Sequence, residues 1–107
     1  MGAKVFSLLD LNDVALFAQV VQASSFSKAA RERGLPVSTV SRRIARLESS
    51  LDARLLERTT RALYLTDVGR AYYAHAERAL CELDQARERV RELHVSPRGR
   101  VRITAPI

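Results

Sequence analysis

Gly34, Leu35 and Pro36 stand between two helix-forming stretches, and this short joint constrains the fold more than any other feature of the chain. Glycine accepts the left-handed conformation that ends a helix. Proline is a good opener for the next helix, where its missing N–H would have no partner anyway. Only Leu35 separates the two. The spacing predicts one helix over about 27–33 and another over about 36–50. Two helices joined by a tight glycine-containing turn form a helix-turn-helix. Ala29 and Ala30 are small enough to let a neighbouring helix approach closely.

A helix is also expected before this pair. Asp10 reads as its N-cap and Asp13 as an acid in its first turn. Val14, Phe17, Val20 and Val21 fall on one face, the run extends to about Ala23, and Ser24-Ser25 breaks it. In the helix after the turn, Val40, Ile44, Leu47 and Leu51 form one apolar stripe. Ser38, Thr39, Arg42, Arg46 and Ser49 lie opposite that stripe. This opposite face carries hydroxyls and guanidiniums and no acid, and Glu48 lies at the edge of the stripe, away from it.

Two short strand-like pieces follow, 55–57 and 63–65, around a basic, hydroxyl-bearing tip of Arg58, Thr59, Thr60, Arg61 and Ala62. That is a hairpin wing. Thr66 then caps a long helix over about 67–95, whose length at ~1.5 Å per residue is ~43 Å. Tyr72, Ala76, Ala79, Leu83, Ala86, Val90 and Leu93 recur at alternating steps of four and three, a heptad seam suited to a second copy of the helix. The seam could instead pack back on its own domain, but helix length argues against that for the distal half, and a partner helix is the better reading. Ser96-Pro97 ends the helix, and residues 100–104 alternate like a strand.

The fold class expected is mainly α: a winged helix-turn-helix of three helices and a short β-hairpin, followed by a long dimerisation helix. Residues 1–9 read as a flexible leader, 10–66 as the winged domain and 67–95 as the linker and dimerisation helix. Residues 96–107 read as a hinge and the first strand of a further, missing domain.

Charge is distributed unevenly. The 107 residues carry a formal net charge of +6, with sixteen Arg and two Lys. Residues 1–65 hold +4, residues 66–95 hold −1 and residues 96–107 hold +3. A basic module on a balanced connector points to a phosphate-bearing partner, since the guanidinium donates in a planar fork. Cys81 is the single cysteine, so no internal disulfide forms and a reducing cytoplasm is expected. No apolar run suits a membrane span or a signal peptide, and Phe6 spoils a myristoylation pattern. His75 and His94 have no Cys or acid beside them at metal-ligand spacing. No phosphate loop and no nucleophile–base pair can be assembled, so neither an enzyme nor a cofactor is expected.

The major groove of B-form DNA admits one helix whose exposed side chains meet base edges. Ser38, Thr39 and Arg42 supply donors and acceptors near the start of the third helix, where helix-turn-helix proteins read bases. Ser27 and Lys28 open the second helix and suit a backbone phosphate, with Ser27 also fit to be its N-cap. Arg58 and Arg61 flank the wing tip, where an arginine can enter a minor groove; one of them could instead pair with Glu57.

These residues resemble the N-terminal DNA-binding domain of LysR-type transcriptional regulators. The resemblance runs through SFSKAARERG (25–34), VSTVSRRIARLE (37–48), LLERTTRALYLTDVG (55–69) and PRGRVRI (97–103). It implies a winged domain, a linker helix that pairs with a second subunit, and a downstream effector-binding domain of two α/β lobes. It places Ser38, Ser41 and Arg42 at DNA contacts on the recognition helix and Arg61 in the minor groove. Helical projection puts Ser41 on the flank, nearer a phosphate than a base. Two positions depart from the family: Pro36 stands where Ser is usual, and Val37 where Gln often reads a base. Val37 can touch a thymine methyl or fold into the core stripe.

The expected DNA-contacting set is therefore Ser27, Lys28, Val37, Ser38, Thr39, Ser41, Arg42, Arg46, Arg58, Thr60 and Arg61. The expected partners are double-stranded DNA bearing an interrupted palindrome and a second copy of the chain. A small-molecule effector would act only through the missing domain. A cytoplasmic bacterial regulator, on the nucleoid when bound, fits this reading. A winged fold turned to protein partners is the other class, against which the acid-free face speaks.

Overall fold

The computed structural model describes residues 10–59 and 62–95; the expectations for 1–9, for Thr60 and Arg61, and for 96–107 lie outside the described residues. Three helices, α1 (Leu11–Ala23), α2 (Phe26–Arg33) and α3 (Val37–Leu51), precede strands β1 (Leu56–Arg58) and β2 (Leu63–Leu65) and the long helix α4 (Asp67–Val95). This is a winged helix-turn-helix, mainly helical, with a long helix after the wing.

Local chemistry sets each boundary. The Asp10 carboxylate accepts the Asn12 N–H at 2.9 Å and caps α1. Ser24 takes a left-handed conformation, φ 55°, and ends it. Ser25 caps α2 by accepting the Lys28 N–H at 3.0 Å. The helix therefore starts at Phe26 and Ser27 lies inside its first turn, which corrects the cap and the start expected at Ser27. Gly34, at φ 68°, ends α2 as expected and donates its N–H toward the carbonyls of Ala30 and Arg31. Pro36 is extended and occupies the cap position of α3, one residue outside the helix, while its carbonyl accepts from Thr39 and Val40.

The hairpin is antiparallel, with Leu56 opposite Leu65, Glu57 opposite Tyr64 and Arg58 opposite Leu63. The first strand sits one residue later than expected. Glu48 Oε2 accepts the amides of Leu55 and Leu56, at 2.8 and 3.1 Å, and the Leu55 carbonyl accepts the Thr66 N–H at 3.0 Å just outside the strand pair. With the one-residue shift, Arg58 moves from the tip into the strand.

Thr66 caps α4 as expected, its hydroxyl accepting the Gly69 N–H at 2.9 Å. Gly69 is demanded by crowding: a Cβ there would lie 2.0 Å from the Leu55 carbonyl oxygen.

The core of the winged unit joins Val14, Leu16, Phe17 and Val20 of α1, Phe26, Ala29 and Ala30 of α2, and Val40, Ile44 and Leu47 of α3. Leu55, Leu56 and Ala76 close it. The rings of Tyr72 and Tyr73 lie 5.9 and 6.2 Å from that of Phe17. Burial raises the Tyr72 hydroxyl above its ordinary pKa. The chain divides into two compact units after Glu77, within α4.

Candidate nucleic-acid interface

Burial of Val40, Ile44 and Leu47 fixes how α3 is rotated. Ser38 and Arg42 are exposed on the opposite face, Ser49 beyond them is exposed as well, and Thr39 and Ser41 are half-buried beside them. Val37 is 42% exposed, so it belongs to the surface at the helix start rather than to the core stripe. Of its two readings, the apolar contact with a ligand is the one this placement leaves open.

Both flanks of α3 are anchored. On one, Asp13 of α1 is 1% exposed and receives the Arg43 Nε–H at 2.9 Å, the Arg46 Nε–H at 2.7 Å and an Arg46 Nη2–H at 2.9 Å. Arg46 also reaches Asp10 at 3.2 Å. Burial alone would raise the Asp13 pKa, but the hydrogen bonds and charges of Arg46 and Arg43 outweigh it and hold the carboxyl below its ordinary value. The same bond raises Arg46. Arg46, expected on the DNA-facing surface, is 59% exposed there, and its guanidinium is also engaged by Asp13 of α1. The helical projection of α3 could not show this, because Asp13 reads only as an acid in the first turn of another helix.

On the other flank, the Arg58 guanidinium stacks 4.2 Å from the centroid of the Phe26 ring and donates to Ser41 Oγ at 3.2 Å. Three elements, α2, α3 and β1, meet there. The pairing of Arg58 with Glu57 is not found: Glu57 lies 3.9 Å from Arg54. Among the described residues neither Arg42 nor Arg58 has a carboxylate partner. Their charges stay available, unlike those of Arg43 and Arg46.

Ser27 and Lys28 are exposed in the first turn of α2. The Lys28 amide is taken by Ser25, so its ammonium, not its backbone N–H, is what it can offer a ligand. Thr59 N–H donates to the Ala62 carbonyl at 2.9 Å and the Thr59 hydroxyl accepts the Ala62 N–H at 3.0 Å, which extends the ladder past Arg58.

The seam on α4 splits. Ala76 is buried in its own chain's core, a correction to its place in a dimer seam, while Tyr72 is half-buried with its ring near that of Phe17. Ala79 and Ala86 are exposed, and Leu83, Val90 and Leu93 are 52%, 65% and 67% exposed. Among the described residues no group of three or more His, Cys, Asp or Glu could hold a metal ion, and no helix is long and apolar enough to cross a membrane.

Residues 11–70 match the model of the bacterial regulatory helix-turn-helix proteins of the lysR family. The chain belongs to the lysR family. A Xanthomonas campestris pv. campestris (strain 8004) protein named an HTH-type transcriptional regulator is 47% identical over 97 residues, which is 91% of this chain and 28% of that protein. The HTH-type transcriptional regulator PtxR of Pseudomonas aeruginosa is 46% identical over 98 residues, covering 92% of this chain and 31% of PtxR. The chain thus spans about a third of the length of these relatives, which are named as regulators and not as enzymes. Among solved structures, that of the BenM DBD in complex with catB site 1 DNA superposes with a TM-score of 0.77 at 31% identity, over 82% of this chain and 98% of that one.

Within this lysR-family domain, sequence reasoning found the exposed face of α3 and missed what holds that face. Asp13 precedes Phe17 by one turn and so shares the buried stripe of α1, the one signal that could have marked it as a buried acid needing basic partners.

Proposed function

We propose that this chain binds double-stranded DNA sequence-specifically as a homodimer, with α3 in the major groove and the wing at the minor groove. Arg42 and Ser38 read base edges, with Thr39 beside them, and two such helices read an interrupted palindrome. Arg42 can donate twice to a guanine edge. The observation that carries this reading is the exposed, acid-free face of α3, whose Arg42 has no carboxylate partner among the described residues. The BenM DBD, similar in fold and sequence, was solved with DNA, which supports it.

The second copy docks on the exposed distal seam, Ala79, Leu83, Ala86, Val90 and Leu93, whose spacing suits a paired helix. In the intact regulator, a further domain would take the small-molecule effector, and the protein would work in the bacterial cytoplasm. Arg61 and Thr60 of the wing, and Ser27 and Lys28, complete the contacts through the minor groove and the backbone.

Binding of Arg42→Ala across a panel of duplexes tests the reading. The variant should lose roughly 10-fold or more of its preference among sequences, the weight of a bidentate guanine contact. A uniform loss of affinity with preference intact would overturn the base-reading role of Arg42.

A further inference from the structure

We infer that Arg58 and Ser41 together seat one DNA-backbone phosphate, with Arg58 held against the Phe26 ring, so that Arg58 fixes the register of α3 instead of reading the minor groove. This rests on the DNA-binding reading above and assigns one of its contacts. The chemistry follows from donor and acceptor counts. A serine hydroxyl offers one donor and two acceptor positions, and a guanidinium offers five donors. Arg58 Nη2 donates to Ser41 Oγ at 3.2 Å, so the Ser41 hydroxyl hydrogen is left to seek another acceptor. Arg58 keeps its remaining N–H groups and has no carboxylate partner among the described residues. Two adjacent groups that both need an acceptor, one of them cationic, are complementary to a phosphate oxygen.

The surroundings agree. The pair borders a recess of about 210 Å³ that Phe26, Ile44, Ala45 and Leu56 also line. Glu48 is the acid in this recess, and its Oε2 is occupied by the Leu55 and Leu56 amides, with Arg54 at 3.9 Å. It therefore leaves Arg58 to an external anion. Stacking on Phe26 restrains a side chain that would otherwise lose much rotamer freedom on binding. A cation locked between α2, α3 and β1 suits a fixed backbone contact and does not suit insertion into a groove whose width varies.

The test uses the whole chain and a set of short duplexes, each carrying one neutral methylphosphonate in place of a backbone phosphate. One such position per half-site should weaken binding of the unmodified chain about tenfold. Arg58→Ala should bind that duplex nearly as well as the all-phosphate one, and Ser41→Ala, which keeps the Arg58 cation on Phe26, should show a smaller loss than the unmodified chain. Arg58→Ala should lower the salt dependence by about 0.9 per half-site and leave base preference unchanged. Arg58→Lys, which keeps the charge and loses the planar stack, should fall between. The inference is overturned if Arg58→Ala changes which bases are preferred, or if its interference pattern matches that of the unmodified chain. Failure of the unmodified chain to bind any duplex would overturn the parent reading as well, and so separates the two.

Discussion

Replacing Asp13 by alanine should destabilise the winged domain by about 3 kcal/mol. The carboxylate is 1% exposed and accepts three hydrogen bonds from two arginines of α3. A hydrogen bond to a charged group nets about 1.5–3 kcal/mol, and three sharing one acceptor group do not add. The Arg46 side chain is 59% exposed and recovers water when its partner goes. Arg43, at 19%, does not, so most of the cost falls there, at the low end of what breaking a buried pair costs. For a domain whose whole stability is on the order of 5–15 kcal/mol, that is a large fraction. Urea unfolding followed by circular dichroism near pH 7, at one protein concentration, measures it. The acid side gives an independent check. The folded carboxyl is lowered below its ordinary value, so between the folded pKa and the unfolded pKa of about 3.9 the unfolded chain binds more protons. The contribution of Asp13 is thus complete above the unfolded value and is lost as pH falls through the folded one. The gap between unmodified and Asp13→Ala chains should narrow below about pH 4. A loss under about 1 kcal/mol near neutral pH, or a gap that stays constant into acid, would refute the reasoning.

Gly69→Ala should cost about 3 kcal/mol or more, because the new methyl meets the Leu55 carbonyl at 2.0 Å and both partners are backbone-anchored; an unchanged urea midpoint would contradict this. Leu83→Asp should shift sedimentation from dimer to monomer while the helical signal of the winged unit persists, since Leu83 is 52% exposed; an unaltered dimer would remove the distal seam as the interface. In that same variant, DNA affinity should drop while the preferred half-site stays the same, which a duplex carrying a single half-site would reveal.

How much of this was legible in the sequence depends on whether local or distant partners decide each residue. The turn at Gly34 was legible because a left-handed helix end is a local demand. The stripe of Val40, Ile44 and Leu47 followed from period alone. Thr66 and Asp10 announced their helices because a cap is satisfied within three residues. The misses involve partners distant in sequence. Arg46 and Asp13 lie thirty-three positions apart, and periodicity says nothing about which surface arginine meets a buried acid. Arg58 meets Ser41 and Phe26 only once the hairpin folds onto the helix pair. Ala76 keeps the heptad step yet turns to its own core, since the period alone cannot say which neighbour covers a helix face. At Ser25 the error was local: Ser25 and Ser27 both stand at the start of α2 and both carry a hydroxyl, and the earlier of the two, not Ser27, caps the helix.

Selection of bound duplexes from a randomised library by the whole chain, followed by a salt titration on the winning sequence, tests the central claim most directly. Enrichment of an interrupted palindrome, with affinity falling steeply as salt rises, is the predicted result for a dimeric reader that neutralises several phosphates. No enrichment, with weak binding indifferent to salt, would contradict it and turn the exposed face of α3 toward a partner other than DNA.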